Sequence, residues 1–415
     1  MSNPPSCDFL PVNTFTVDQA QIRILQTIKP IKESETLELT QALGRVLAQA
    51  IIAPFDVPPY RNSAMDGYAV KSQGQTQGLQ QFRMIGKSFA GHPYQGSVGA
   101  GECVRIMTGA VVPEGADAVL MQEEVIVQGE LIEYQGSVRL KQHIRHPGED
   151  LAQGSEVLAS GRVLNAADLG LIASLGIGQV TVWRKPKVAI ISTGDELKPI
   201  GQTLNAGQIY DSNRYTLRGL LQRLAVEVLD IGIVPDDPEL LEATFKSALQ
   251  QADVLISSGG VSVGEADYVT RLLEQLGQID FWKIAMKPGK PLAFGRLGEC
   301  AFFGLPGNPV STMVTFLVLV RPALLTLGHY PVKPLAMTQA KLLSPVRKAV
   351  GRQDYQRGIC HQDDTGQWWV QSTGLQESHV LRSMSLANCF IVLAREWSNI
   401  EEGAEVPIVL FEGLF

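Results

Sequence analysis

The sequence predicts a multidomain protein: a doubly wound α/β domain, a β-rich domain inserted into a two-segment N-terminal domain, and a small β-barrel at the C-terminus. Three observations carry this. Between Pro186 and Leu327, apolar strands without polar alternation are separated by helical stretches, the pattern of a parallel sheet covered on both faces. Short apolar runs punctuated by glycine fill Met65 to Asp150, and similar runs return after Pro331. The 415 residues exceed any single small module and, at roughly 100–200 residues per domain, allow two to four.

Composition narrows the class. Apolar residues make up 45% and charged residues 19%, enough core material for globular domains. Lys plus Arg is 35 against 42 for Asp plus Glu, a formal charge of −7, with a pI near 5.5. That balance argues against a nucleic-acid partner held by whole-protein charge, although a local basic pocket stays open. The five cysteines, Cys7, Cys103, Cys300, Cys360 and Cys389, show no Cys-x-x-Cys spacing, which favours a reducing compartment over a disulfide framework or a zinc knuckle. The start, MSNPPSCDFLPVN, lacks the basic and apolar parts of a secretory signal. The most apolar run, Val310 to Val320, is closed by Arg321 and Pro322, short of the ~20 residues of a bilayer span. The expectation is a soluble cytoplasmic protein with no membrane partner.

Taken in order, Thr16 to Ile28 reads as a helix behind a Thr16 cap, and Thr40 to Ile52 as a second with Thr40 as cap. Thr36 to Leu39 reads as a short strand between them, and Pro54 to Pro59 as a boundary. Residues 54–150 form the β-rich insertion, with VGAGECVRIMTGA, ADAVLMQEE and GELIEYQG as its clearest runs. Strand, helix capped near Asn165 and strand follow over 155–185, so 1–53 with 151–185 make one two-segment domain. The α/β domain spans 186–330. Its strands are Lys187 to Ser192, Val226 to Val234, Val254 to Ser257, Phe281 to Ala285 and Ala301 to Leu305. Its helices are Asn213 to Leu224, Pro238 to Gln250 capped by Asp236 or Asp237, Glu265 to Leu276, and Val310 to Leu327. Residues 331–415 return to β runs, MTQAKLL, RQDYQRGI, QWWVQST, CFIVLA and VPIVLF, with a hairpin turn at Asp364-Thr365-Gly366.

Ligands of open parallel sheets bind outside the carboxyl ends of the strands, so those loops are where the chemistry is expected. Ser257-Ser258-Gly259-Gly260 leads through Gly264 to a helix near Glu265, a combination suited to anions: backbone amides, hydroxyls and a helix N-terminus. A second glycine turn, Pro306-Gly307-Asn308, opens another helix. Each alone is explained equally well as a tight turn, but two beside Lys283, Lys287 and Lys290 favour phosphate binding, without a dinucleotide or Walker pattern. Lys283, Ala285 and Lys287 are expected on one strand face, opposite Trp282, Ile284 and Met286. Glu196, Asp236 and Asp267 come from three strand ends, and acids beside an anion site imply a hard cation such as Mg²⁺ bridging a polyphosphate. Singly, Asp236 and Asp267 would pass as helix-start acids. The β-rich domain adds Asn62 to Tyr68, Arg105 to Ala110 and Arg145 to Asp150, where Asp66-Gly67 could be a hairpin turn. His143 and His146 lack the further ligands a zinc site needs.

NSAMDGYA, RIMTGA, HPGED, STGDEL, YDSN, SSGGVSVGEADY, KPGKP and GLPGNPVS occur in that order along nearly the whole chain, and together they resemble the MoeA family of molybdopterin molybdenumtransferases, which includes the E domains of gephyrin and of plant Cnx proteins. The resemblance implies an elongated homodimer whose α/β domain, shared in fold with molybdopterin adenylyltransferases, holds adenylylated molybdopterin, inserts molybdate and releases AMP with Mg²⁺. It implies Asp267 and Asp236 at the metal, with Glu196, Asp150, Thr108 and Asp66 in the site or at its edge, the last three serving the partner subunit. Lys290, Pro291, Arg357 and Ser378 resemble the family's oxyanion contacts. It also implies transient contact with the adenylyltransferase and with molybdoenzyme acceptors. The alternatives are a dimeric scaffold of the gephyrin type and the adenylyltransferase itself, whose chains resemble the α/β domain alone.

Overall fold

A computed structural model describes residues 14–72, 77–259, 275 and 277–414. The chain forms two compact units, the first comprising residues up to Glu35, Gly44–Val46 and Val182–Phe415, the second Thr36–Leu43 and Leu47–Thr181.

In the first unit seven strands form one sheet, in the spatial order Thr14–Phe15, Gln278–Ile284, Pro291–Leu297, Cys300–Leu305, Val254–Ser258, Lys187–Thr193 and Glu227–Val234. The last four run parallel, and almost every residue of three of them is buried, as their unbroken apolar sequences require. Pro291–Leu297 is antiparallel to both neighbours, so the sheet is mixed, and this strand was not expected from the sequence. Only Gly298 and Glu299 separate it from the next strand, a hairpin spacing inside a region read as crossovers.

One sheet face packs against the helices Val17–Thr27, Asn213–Gln222 and the long element beginning at Pro309, through Ile24, Leu217, Leu221, Val310 and Phe316. The other face is covered by helix Pro238–Gln251 through Leu241, Phe245 and Ala248. Arg184 anchors the start of the first parallel strand: it donates to both oxygens of Asp253 at 2.7 and 2.8 Å, and the Lys187 N–H adds a third bond at 2.7 Å. Burial would raise the Asp253 carboxyl, but these donors hold it below the usual carboxylate range.

Helix Val17–Thr27 begins as expected, in a capping box where Thr16 and Gln19 satisfy each other's backbone N–H groups. Within the first unit it packs against the α/β core. The apolar stripe of Val17, Ala20 and Ile24 is buried against that core. The helix expected over Thr40 to Ile52 is absent. A single 3₁₀ turn, Leu39–Gln41, is followed by Gly44 at φ +73 and strand Ile51–Ile52, because the Leu47 and Ala48 N–H groups bond to Arg162 and Thr181 carbonyls instead of to their own turn.

The helix expected over Val310 to Leu327 is present, and Arg321 and Pro322 do not shorten its apolar stretch as the sequence suggested. Pro309–Leu327 is 19 residues long and apolar enough to cross a membrane by length and composition, yet 78% of its apolar window is buried inside the protein. Pro322 has no N–H for the preceding turn, and the helix absorbs this with a π turn over Phe316–Val320. The Val318 carbonyl is met by the Gln21 side chain at 2.8 Å.

Five strands then close a small barrel in the order Gln353–Gln362, Trp368–Ser372, Thr338–Leu342, Glu405–Leu410, Cys389–Leu393 and back to Gln353–Gln362. They coincide with the five β runs read from the sequence. Met286–Lys287 adds to the barrel's edge beside Gln353 and Asp354.

The second unit is a six-stranded sheet in the order Ala118–Met121, Gly67–Val70, Glu102–Ile106, Leu79–Ser88, Leu131–Gln135 and Val125–Gln128, with an apolar core on each face. Helix Ala166–Ser174 starts at Asn165 with a capping box to Asp168. Cys103 and Cys300 are free and buried, and burial pushes both thiols up to about 12.

Candidate functional site

In the first unit the first parallel strand, Lys187–Thr193, lies between the second, Glu227–Val234, and the third, Val254–Ser258. The strand order therefore reverses between Lys187–Thr193 and Val254–Ser258, the position where such sheets open a ligand crevice. Gly194 to Glu196 leave one strand there and Gly259 leaves the other. Gly259 sits at φ +92, and a Cβ on it would lie 2.8 Å from the Thr193 carbonyl, so the loop needs glycine. Its N–H donates to Leu305 O at 3.2 Å. Gly260, Gly264 and Asp267 lie outside the described residues, as does most of the expected helix Glu265 to Leu276.

Asp195, Glu196 and Asp236 are exposed on adjacent loops, and the Asp236 N–H donates to Asp195 Oδ1 at 3.1 Å. Asp237, not Asp236, caps the helix Pro238–Gln251 by accepting from the Leu240 N–H. No group of three or more His, Cys, Asp or Glu side chains among the described residues is placed to hold a metal. The exposed carboxylates of Glu196 and Asp236 are nevertheless the hard oxygen donors that suit Mg²⁺.

At the second glycine turn, Pro306 O accepts from Thr312 Oγ1 at 2.6 Å, while Gly307 is exposed with open space where a Cβ would stand. Asn308 begins the helix Pro309–Thr315, and its amide donates to Ser378 Oγ at 2.9 Å. The Val310 N–H donates to Ser378 O at 3.1 Å, so Ser378 is seated on this helix start.

Lys283, Ala285 and Lys287 do not share a strand face. The α/β strand ends at Ile284, the Ala285 N–H bonds to Phe15 O, and Met286–Lys287 passes to the barrel, so Ile284, Ala285 and Met286 are all buried in succession. Lys283 and Lys290 are exposed, Lys287 is half-buried and Pro291 is exposed. Lys290 O accepts from the Ile284 N–H at 2.7 Å, closing the loop between them. Opposite Lys287, Asp354 is buried, and burial raises its carboxyl above the usual range despite the nearby Lys348 and Lys287.

Arg357 is 1% exposed. Its Nε donates to Ser383 Oγ at 2.9 Å and its Nη2 to the Glu377 carbonyl at 3.2 Å, while Gln376 Oε1 accepts from its backbone N–H at 2.8 Å. Burial lowers it to about 10. These bonds shape the segment that delivers Ser378.

In the second unit the three expected segments converge. Strand Asn62–Ser63 pairs with Ile144–Arg145, the Gly109 N–H donates to Ser63 O, and the Ala64 N–H donates to His143 O. Asp66 Oδ1 accepts from the Thr108 N–H at 2.7 Å and from its hydroxyl at 2.8 Å. These bonds, the backbone one foremost, hold the Asp66 carboxyl below its usual range. Asp66-Gly67 is not a hairpin turn but the start of strand Gly67–Val70. A Cβ on Gly67 would collide with the Leu120 carbonyl oxygen. Asp150 is exposed, and its N–H donates to Val57 O at 3.0 Å.

STGDEL and YDSN carry part of the family resemblance, but the sequence alone assigns no role to Ser192, Thr193, Asp211 or Asn213. All four are buried at the switch point, and each carries a side-chain oxygen with no hydrogen-bond partner. Polar residues closing an otherwise apolar strand, and a second polar run opening the next helix, were the available signals.

Comparison with known proteins agrees along the chain. Family models match for the MoeA N-terminal region (domain I and II) over residues 15–176, a probable molybdopterin binding domain over 189–326, and the MoeA C-terminal region (domain IV) over 339–411. The chain is 46% identical over 401 residues to a molybdopterin molybdenumtransferase of Haemophilus influenzae, covering 96% of this chain and 99% of that one. It is 35% identical to a gephyrin of Dictyostelium discoideum, covering 96% of this chain and 62% of that one. A crystal structure of a molybdopterin biosynthesis MoeA protein from Pyrococcus horikoshii superposes with a TM-score of 0.79 at 28% identity, covering 95% of this chain and 99% of that one. With identity of this level over nearly its full length, and the three regions in order along it, the chain belongs to the MoeA family of molybdopterin molybdenumtransferases.

Proposed function

We propose that this protein inserts molybdenum from molybdate into adenylylated molybdopterin and releases AMP, in molybdenum cofactor biosynthesis. The observation that carries the reading is the switch point of the parallel sheet, where the Gly259 turn and the carboxylates of Glu196 and Asp236 leave separate strand ends, in a unit of a MoeA-family chain that also holds Lys287 and Lys290. Molybdate and the departing AMP are anions, as is the phosphate of molybdopterin. The ammonium groups of Lys287 and Lys290 and the amides of the glycine loops, Ser258 to Gly260 and Pro306 to Asn308, bind and orient them. Ser378, seated at the start of the helix after Asn308, adds a hydroxyl, and Arg357 holds the segment that presents it.

Asp236 and Glu196, with Asp267, would hold Mg²⁺, which offsets the negative charge of the pyrophosphate as its P–O bond breaks. Their carboxylates have a second effect: without a cation they repel the substrate, so binding and cation occupancy are coupled. Asp66, Thr108 and Asp150 are proposed to act at the site of the partner subunit in a homodimer. The protein is proposed to be cytoplasmic, meeting the adenylyltransferase and molybdoenzyme acceptors transiently.

The test incubates the full chain with adenylylated molybdopterin plus molybdate and, separately, with molybdopterin plus ATP. Molybdate-dependent AMP release in the first supports the transferase. Adenylylation in the second supports the adenylyltransferase, and inactivity in both supports the scaffold reading that the gephyrin likeness suggests. Light scattering at micromolar concentration tests the dimer, and a fully active monomer would remove the proposed roles in trans.

A further inference from the structure

The described residues contain eight buried side-chain atoms with no hydrogen-bond partner, and five of them belong to Ser192, Thr193, Asp211, Asn213 and Arg214 at the switch point. Two of these five face each other, since Asp211 Oδ2 and Arg214 Nε form an ion pair at 3.4 Å. The other three, Ser192 Oγ, Thr193 Oγ1 and Asn213 Oδ1, have nothing comparable. Their residues are 1%, 3% and 9% exposed.

Strand alternation places Ser192 on the sheet face of Val188 and Ile190, under the helix that Asn213 begins, and Thr193 on the face of Ala189 and Ile191. Ser192 is the register partner of Ser258 in the neighbouring strand. Asn213 Nδ2 donates to Ser258 Oγ at 2.8 Å and to the Gly307 carbonyl at 2.7 Å. The Gly307 carbonyl can only accept, which fixes the amide orientation and leaves Oδ1 as an acceptor without a donor.

Buried polar atoms are nearly always bonded, and leaving one unmet is unfavourable. Elsewhere among the described residues several buried hydroxyls find partners: Ser88 donates to Val111 O, Thr312 to Pro306 O and Ser383 to Val380 O, and the two further unmet hydroxyls, on Thr14 and Thr315, belong to separate elements. Alanine or valine would fill the positions of Ser192 and Thr193 without the penalty. The concentration of unmet groups at one crevice is therefore a property of that crevice.

We infer that Ser192, Thr193 and Asn213 are substrate-binding residues that receive the nitrogen heterocycle of the substrate, an inference resting on the proposed reading of this crevice as the substrate site. None of the three is charged, so they suit a neutral group better than a phosphate, which the lysines and glycine amides attract. Asn213 Oδ1 needs an N–H or O–H donor, and the two hydroxyls can donate or accept. A ring carrying an amino group next to ring acceptors meets both demands. The aminopyrimidinone of a pterin and the aminopyrimidine of adenine share that chemistry.

The test pairs stability with binding in the full-length protein, using 6-hydroxymethylpterin and AMP as separate calorimetric probes against wild type, Ser192→Ala and Thr193→Val. Both variants remove a hydroxyl that has no partner among the described residues, so they should melt at or above the wild-type temperature. Each should weaken the probe whose ring occupies the crevice by roughly 5- to 10-fold, and the probe affected identifies the ring as pterin or adenine. Wild type that binds a probe with both variants binding it equally would overturn this inference alone. Wild type that binds neither ring would overturn the crevice as the substrate site, and this inference with it. Variants that melt clearly lower would show that the hydroxyls serve the fold, which also overturns it.

Discussion

At Asp66 the second unit joins a carboxylate to two donors of Thr108, at 2.7 and 2.8 Å, whereas at the switch point of the first unit the Asn213 carbonyl and the hydroxyls of Ser192 and Thr193 meet no donor or acceptor among the described residues. The Asp66 loop is complete by itself: its geometry is set by bonds within the chain, and a substitution there acts first on local order. The switch point is complete only with respect to position. Asn213 is held by Ser258 and Gly307, but its remaining capacity is unused, so a substitution there acts first on affinity. Similar polar residues thus have opposite expected signatures.

The largest expected effect tests how rigid the Asp66 loop is. Gly67 follows Asp66 directly, and the atom a Cβ would strike is a backbone carbonyl of the adjacent strand, which cannot rotate away. Gly67→Ala should cost about 3 kcal/mol, lowering the melting temperature by roughly 6–12 °C. An unchanged melting curve would mean that the loop yields easily, and the contrast with the switch point would weaken.

The next effect is a difference in sign. Burial raises the Asp354 carboxyl, so the folded state binds a proton more tightly there than the unfolded chain; the resulting stability is present at low pH and is lost as pH rises through the raised value. Asp66 is held low by Thr108, so its contribution is present above the ordinary carboxylate range and is lost as pH falls through the lowered value. Unfolding followed from acid to neutral pH should therefore show Asp354→Asn and Asp66→Asn departing from wild type in opposite directions. Departures of the same sign would contradict one of the two environments.

The smallest effect is at Thr108. Thr108→Val removes the hydroxyl but keeps the backbone N–H that contributes most to Asp66, and the side chain is exposed. A melting shift of no more than about 2 °C is expected by differential scanning calorimetry. A larger one would place the rigidity of the loop in the hydroxyl.

The sequence made the regular parts of this fold legible wherever local pattern and tertiary role agreed. Thr16 with Gln19 and Asn165 with Asp168 both announce helix starts, and the five C-terminal apolar runs are the five barrel strands. It misled where backbone bonds are made to distant segments: Leu47 and Ala48 carry helical spacing but donate to Arg162 and Thr181. Strand Pro291–Leu297 was missed because hairpin neighbours look like one apolar stretch, and the lysine face failed because the chain changes sheets after Ala285. Charged and glycine-rich site residues were readable by type. Ser192, Thr193 and Asn213 were not, because an unmet hydrogen bond is a property of burial and of partners, neither of which one sequence displays.

In the proposed reaction the strand ends of the first unit supply the chemistry, with lysines acting on charge already present and carboxylates acting as charge develops. Single-turnover AMP release at saturating adenylylated molybdopterin and molybdate, measured beside calorimetric binding, tests it most directly. Lys287→Ala should lose affinity while the bound complex reacts at close to the wild-type rate. Asp236→Asn should keep its affinity and release AMP more slowly, by on the order of 10²-fold. Wild-type release by Asp236→Asn with Mg²⁺ present would contradict that division of roles.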